Sequence, residues 1–228
     1  MNKVSIVIPV YINKPSLFAM TVNCLHDIIM TIGPKIEIIV VDDGSKYDVS
    51  KLKKLFPDIK LIQSLKNQGY AKSVNIGIIS SNYENILLLN NDIRITNLRW
   101  LEIMLNELRE SNLDITAPAG GRMTKNWEYI QGEVLKKGEE FTYLPGWCLL
   151  VKKSVFSKIG LISENFGHGY FEDVLFCYKA KKAGCRLGIT ENPGVEHLYH
   201  ATFKAEGYDL AKEYKEKRLK FLELIGEK

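Results

Sequence analysis

Ile36-Glu37-Ile38-Ile39-Val40-Val41-Asp42-Asp43-Gly44-Ser45 is the stretch on which the fold turns. Residues 36–41 are dominated by β-branched apolar side chains, which reads as a strand covered on both faces. The run stops abruptly in two carboxylates and a Gly-Ser turn. The same plan recurs on either side. Residues 4–11 (VSIVIPVY) and 86–89 (ILLL) are apolar runs with polar residues beyond them, and 59–63 and 114–117 are shorter strand-like segments. Helical spacing fills the gaps at 16–30, 49–56, 70–79 and 98–109, the last through Leu101, Met104, Leu105 and Leu108. Strands alternating with helices predict an α/β fold, a mostly parallel, twisted, Rossmann-like sheet flanked by helices. Ligands of such sheets bind beyond the carboxyl ends of the strands, so the polar strand tips are where chemistry is expected.

The second half is less regular. Residues 120–143 read as an irregular hairpin or loop excursion, 146–152 as a strand, and 154–159 as a short helix. Residues 171–183 read as a helix that Gly184 ends, and 208–224 as a charged amphipathic helix with Tyr214, Leu219, Phe221, Leu222 and Ile225 as its apolar members. No repeat or linker interrupts the chain, which is expected to form one domain over 1–228.

Composition narrows the classes. The 228 residues are 46% hydrophobic and 25% charged, with 7 prolines and 17 glycines, which excludes disordered, collagen-like and disulfide-rich chains. Lys+Arg 31 against Asp+Glu 27 leaves +4, too mild an excess to argue for nucleic acid as a partner. Cys24, Cys148, Cys177 and Cys185 form no CxxC pair, which suits reduced thiols and no zinc site. The run VSIVIPVY begins at Val4 and is too short for a signal segment or a membrane span. A cytoplasmic protein is expected.

Four places carry candidate chemistry. Asp42-Asp43-Gly44-Ser45 suits hydrogen bonding to a base or ribose, with a plain turn as the alternative. No GxGxxG follows the first strand and no GxxxxGK[ST] occurs, so neither nucleotide loop is present. Asn90-Asn91-Asp92 places one hard carboxylate between a strand and its turn, flanked by amides, with a plain turn again as the alternative. Such a group can hold Mn²⁺ or Mg²⁺ and leave positions open for a diphosphate. Phe166-Gly167-His168-Gly169-Tyr170-Phe171-Glu172-Asp173 brings a glycine- and aromatic-rich approach to adjacent carboxylates at a helix start, with ordinary helix-start residues as the alternative. His197-Leu198-Tyr199-His200 offers two imidazoles that either share a helical face or reach a metal from a loop.

In order along the chain these elements resemble glycosyltransferase family 2, nucleotide-sugar-dependent enzymes of the GT-A fold. The resemblance is carried by Ser5-Ile6-Val7-Ile8-Pro9-Val10-Tyr11, Val40-Val41-Asp42-Asp43-Gly44-Ser45, Asn67-Gln68-Gly69-Tyr70-Ala71-Lys72-Ser73-Val74-Asn75-Ile76-Gly77, Leu88-Leu89-Asn90-Asn91-Asp92, Gly146-Trp147-Cys148-Leu149-Leu150 and Glu172-Asp173. Within the family the chain looks most like rhamnosyltransferase-type enzymes of cell-surface polysaccharide biosynthesis. It implies a nucleotide-binding half over about 1–95, an acceptor and catalytic half over about 96–205, and a C-terminal helix over 206–228.

The resemblance also implies roles. Pro9 and Tyr11 line the base pocket, Asp43 bonds the pyrimidine or ribose, and Gly69, Lys72, Asn90 and Asn91 lie near the nucleotide, with Asn75 in support. Gly146 and Trp147 border the donor or acceptor sugar. Asp92 binds Mn²⁺ or Mg²⁺ and the diphosphate, His197 completes that site with His200 as the competing choice, Asp173 is the base, and Glu172 contacts the acceptor. One departure stands out: Asn90 replaces the first aspartate of the family's Asp-X-Asp motif, leaving Asp92 as its only carboxylate.

The implied reaction is an inverting transfer from a UDP- or dTDP-linked sugar to a glycan or lipid-linked acceptor. A sugar nucleotidyltransferase would share the sheet but show a basic glycine-rich loop after the first strand, where this chain has Tyr11-Ile12-Asn13-Lys14-Pro15-Ser16. A non-catalytic nucleotide- or glycan-binding module would explain Asn90 but not Glu172-Asp173. The C-terminal helix carries Lys212, Lys215, Lys217, Arg218 and Lys220, which suits peripheral contact with the inner face of an anionic membrane. The interleaved Glu213, Glu216 and Glu223 favour a solvated helix docked by one face.

Overall fold

The computed structural model describes residues 3–131, 135–167, 169–198 and 210–226. A seven-stranded sheet runs through it, built from β1 (Lys3–Val10), β2 (Lys35–Asp42), β3 (Lys60–Gln63), β4 (Asn85–Leu89), β6 (Ile115–Ala117), β9 (Cys148–Lys152) and β10 (Leu187–Ile189). The order is β10-β6-β9-β4-β1-β2-β3. All neighbours pair in parallel except β9, which runs against both β4 and β6. The mostly parallel sheet expected from the alternation is thus present. The order reverses at β1, with β2 and β3 laid down on one side and β4 on the other, and this reversal opens a crevice at the carboxyl edge.

Alternation within each strand divides the core. Ile6, Ile8, Leu87 and Leu89 face one cluster, packed against α1 (Pro15–Ile29), α2 (Ser50–Leu55) and α4 (Trp100–Glu110). Val7, Ile39, Ile86 and Leu88 face the other, packed against α3 (Tyr70–Ile79), α5 (Lys153–Ile159) and α6 (Glu172–Lys182). Each side supplies its own apolar stripe, which is why the strands read as unbroken apolar runs. Gly77 lets α3 press onto the sheet, since a Cβ there would lie 2.2 Å from Val7 Cγ1.

Two small pairs complete the molecule. β7 (Arg122–Met123) and β8 (Tyr129–Ile130) form the hairpin expected between 120 and 143, and β5 (Ile93–Ile95) pairs antiparallel with β11 (Val195–His197). A third cluster of Phe166, Phe171, Val174, Leu175 and Phe221 joins α6 to the C-terminal helix α7 (Leu210–Ile225). Of the apolar residues expected on that helix, Tyr214, Leu222 and Ile225 pack beside Phe221, and Leu219 stays exposed. No helix among the described residues is long and apolar enough to cross a membrane.

Candidate active site

β4 delivers Asn90, Asn91 and Asp92 to the carboxyl edge because its leucines are buried on both faces and the chain turns at once into β5. Asn91 is spent inward, its amide donating to Thr21 Oγ1 (2.8 Å). β11 then lies antiparallel to β5 with His197 opposite Ile93, and the Leu198 N–H donates to the Asp92 carbonyl (2.8 Å). That register puts His197 Nε2 3.1 Å from Asp92 Oδ1 and 3.4 Å from Asn90 Nδ2. His197 therefore sits on a strand, which corrects the helical-face alternative. His200 and His168 lie outside the described residues.

β9 explains how Gly146 and Trp147 reach the same edge. Because it runs against β4, with Cys148 opposite Leu89, its amino end meets the carboxyl end of β4. The Asn90 N–H donates to the Trp147 carbonyl (2.8 Å), and the Trp147 ring stacks on His197 with centroids 5.1 Å apart and planes 9° apart. On the far side, the Gly146 N–H donates to Asp173 Oδ2 (3.0 Å). The dipeptide Gly146-Trp147 thus links Asp173 to the Asp92–His197 pair.

Glu172 and Asp173 open α6, as expected. The approach to them holds two consecutive non-glycine residues in the left-handed region, Tyr170 and Phe171, both at φ 68°. Such residues are uncommon and gather at functional sites. The Phe171 ring is fully buried, 5.3 Å from Tyr129, 5.5 Å from Tyr214 and 5.4 Å from Phe221. Burial and the adjacent Asp173 charge push Glu172 up to about 8, and its Oε2 is sealed from water with no hydrogen-bond partner among the described residues. Burial also raises Asp173, opposed by the Gly146 and Val174 N–H groups. Two neighbouring carboxyls with raised proton affinity suit a proton-accepting role beside a polar ligand.

The residues expected on the nucleotide side are more fully engaged. Asp43 accepts from the Gln68 N–H at Oδ1 (2.8 Å) and the Gly69 N–H at Oδ2 (2.9 Å), pinning the loop that starts α3. Asp42 accepts from the Ser45 N–H (2.9 Å), and Ser45 Oγ accepts from the Ile12 N–H (2.7 Å), which closes the turn expected there. Gly44 has φ 72°, and a Cβ on it would lie 2.4 Å from the Lys66 backbone. Pro9 and Tyr11 are half-buried at the end of β1, and Lys72 is exposed on the first turn of α3. Asn75 is buried, donating to the Ile162 carbonyl (2.8 Å) and Glu164 Oε1 (2.9 Å), so it supports the segment leading toward Glu172.

Among the described residues no group of three or more His, Cys, Asp or Glu side chains could hold a metal. Asp92 and His197 supply an oxygen and a nitrogen donor side by side, a set that suits Mn²⁺ or Mg²⁺ when diphosphate oxygens fill the remaining positions. Sequence reasoning missed Tyr70. Its hydroxyl donates to the Gly146 carbonyl (2.9 Å), and its ring lies in the field of Glu172, Asp173 and Asp92. Its position directly after Gly69 at a helix start was the available signal.

The sequence model described as glycosyl transferase family 2 matches residues 5–160. The low-salt glycan biosynthesis hexosyltransferase Agl10 of Haloferax volcanii is 28% identical over 173 residues, 67% of this chain and 55% of the relative. A glycosyltransferase of Rickettsia bellii, itself uncharacterised, is 28% identical over 167 residues, 72% of this chain and 24% of the relative. The chain therefore spans about half and about a quarter of the lengths of these two relatives. Among solved structures, residues 1–349 of S. aureus TarS superpose with a TM-score of 0.63 at 19% identity, covering 83% of this chain and 58% of that one. A second structure of S. aureus TarS gives a TM-score of 0.66 at the same identity. At that identity the likeness shows the fold.

Proposed function

The chain belongs to glycosyl transferase family 2, and from that premise we propose that it moves a sugar from a UDP- or dTDP-linked donor to a hydroxyl of a glycan or lipid-linked acceptor. The observation that carries the reading is the Gly146-Trp147 dipeptide, which couples a half-buried carboxylate pair on one side to the Asp92–His197 pair on the other. Transfer needs both: a group that removes the acceptor's proton and a place for the departing diphosphate.

Asp173 accepts the acceptor's hydroxyl proton as the new bond forms, and Glu172 contacts the same acceptor. One base facing the leaving group makes this a single displacement with inversion, and no second carboxylate has to act as nucleophile. Asp92 and His197 would hold Mn²⁺ or Mg²⁺. Such an ion, when bound, stabilises the charge that develops on the departing diphosphate. Pro9, Tyr11 and the loop pinned by Asp43 border the base, and the flat Trp147 ring offers a surface for a sugar. The name of the Haloferax relative places hexoses first among donors to test. Work is expected in the cytoplasm, with one face of α7 docked on the protein.

A panel of UDP- and dTDP-sugars with Mn²⁺ or Mg²⁺ tests this, with release of free nucleoside diphosphate as the readout. Release from one donor, slow with water alone and faster with a sugar acceptor, is expected. Binding without release would point to a binding module, and sugar-nucleotide formation from nucleoside triphosphate and sugar phosphate to a nucleotidyltransferase. Either outcome ends the proposal.

A further inference from the structure

Tyr70 stands where the two halves of the site meet. Asp43 and Asn67 hold the Gly69 N–H, at 2.9 and 3.0 Å, and Gly69 takes φ 94° so that α3 begins on Tyr70. The ring packs against the core cluster under α3, and the hydroxyl donates to the Gly146 carbonyl (2.9 Å). The N–H of the same glycine donates to Asp173 Oδ2 (3.0 Å). The three groups lie at van der Waals distance about Gly146. A methyl on Gly146 would lie 3.4 Å from the Tyr70 hydroxyl and 3.5 Å from Asp173 Cβ.

A phenylalanine would fill the same volume, so packing alone does not explain the hydroxyl. Two peptide units meet at Gly146: its N–H lies in the Pro145–Gly146 unit and its carbonyl in the Gly146–Trp147 unit, and without a side chain the two turn easily about its α-carbon. The first unit follows Leu144, whose N–H bonds Cys177 of α6 (3.3 Å), and the second is held at its carbonyl by Tyr70. We propose that Tyr70 is a positioning residue: its hydroxyl holds the Gly146 carbonyl, and with it the α-carbon from which the N–H reaches Asp173, which keeps that carboxylate aimed at the acceptor. The inference rests on the reading of Asp173 as the base.

Among the described residues, titratable groups face Asp173 from several elements. Glu172 and Cys177 come from its own helix, Tyr70 from α3, Tyr129 from β8 and Tyr143 from the segment before β9, while Lys217 of α7 opposes Glu172. None of these donates to Asp173 Oδ2 as the Gly146 N–H does. A hydrogen bond to the charged form lowers a carboxyl's proton affinity, so releasing the N–H must move Asp173 toward higher pH.

Tyr70→Phe in the full chain tests the proposal. In protein labelled with ¹³C-aspartate, the Asp173 carboxyl resonance, assigned by its loss in Asp173→Asn, should titrate about half a pH unit or more higher in the variant. The Gly146 amide should exchange about tenfold faster. The kcat for nucleoside diphosphate release from the donor that turns over should fall about tenfold, with donor KM within about twofold. An unmoved Asp173 titration overturns the proposal, and so does a lower kcat without that movement, which would mark an ordinary packing loss. If Tyr70→Phe does not fold, Tyr70→Met, which also lacks the hydroxyl, is measured in the same way, and an unmoved Asp173 titration there overturns the proposal equally. The reading of Asp173 as base fails separately, through transfer surviving in Asp173→Asn, and the titration result stands either way.

Discussion

Asp43 and Glu172 are carboxylates at the rim of one sheet, and their surroundings differ in kind. Asp43 is 5% exposed, yet each of its oxygens accepts a backbone N–H from the loop into α3. Glu172 has one oxygen sealed from water with no partner among the described residues, and burial beside Asp173 pushes it up to about 8. The first carboxylate is consumed in shaping its own pocket wall. The second is left unsettled, which a fold tolerates where a ligand supplies the missing partner. The side proposed for the nucleotide is therefore preformed by its backbone, and the side proposed for the acceptor is held by side chains, among them the rings of α7.

The largest expected effect separates the two sides outright. Asp173→Asn keeps an oxygen for the Gly146 N–H but cannot take a proton, so transfer should fall by about 10²–10⁴-fold. Calorimetric binding of UDP or dTDP should stay close to that of the unsubstituted protein. Loss of both activities together would mean that the carboxylate pair also builds the nucleotide pocket, and the contrast between the sides would dissolve.

Phe221→Ala addresses what holds the acceptor side. The ring is fully buried, with centroids 4.8 Å from Trp127, 5.4 Å from Phe171 and 6.2 Å from Tyr178. Removing it should cost about 3 kcal/mol, read as a lower urea midpoint. Because Phe171 leads into Glu172 in a left-handed conformation, transfer should fall while nucleoside diphosphate binding persists. Asp43→Ala is the reciprocal test. It leaves the Gln68 N–H without its acceptor and the Gly69 N–H with Asn67 alone, at a cost of about 2 kcal/mol. Here nucleotide affinity should drop first, and an unchanged affinity would show that this loop does not border the donor.

The same contrast decides how much of the molecule is legible in the chain alone. β1, β2 and β4 are legible because they are covered on both faces and end in polar residues, and the first-half helices because their apolar spacing repeats. β5, β10 and β11 are not, since three residues hold no period. That gap hides the place of His197, which depends on pairing with a residue about a hundred positions earlier. The residues of the site are legible as types: Asp43, Asp92, Gly146, Trp147, Glu172 and Asp173 all fall on the carboxyl edge or the helix facing it. Their partners are not. That Asp43 turns both oxygens onto backbone, or that Tyr70 reaches across to Gly146, follows from tertiary geometry with no local signature. The consecutive left-handed Tyr170 and Phe171 are equally silent, because neither is a residue that favours that conformation.

Glu172→Gln gives the smallest effect and the finest test of the opening contrast. A carboxyl whose proton affinity is higher folded than unfolded binds more protons in the native state between the two values, so its ionisation lowers stability as pH rises through that window. For Glu172 the window runs from about 4.5, where the free side chain titrates, to about 8. Below it the group is neutral in both states and costs nothing, and above it the full penalty is present. Glutamine cannot ionise and carries no such slope. The urea-derived stability of Glu172→Gln should therefore gain on that of the unsubstituted protein from pH 5 to pH 8 and level off beyond. The gain is on the order of 1 kcal/mol, because the residue's partial exposure lets water offset part of the penalty. Parallel stabilities across that range would mean that Glu172 is as well satisfied as Asp43, and the acceptor side would then lose the feature that sets it apart.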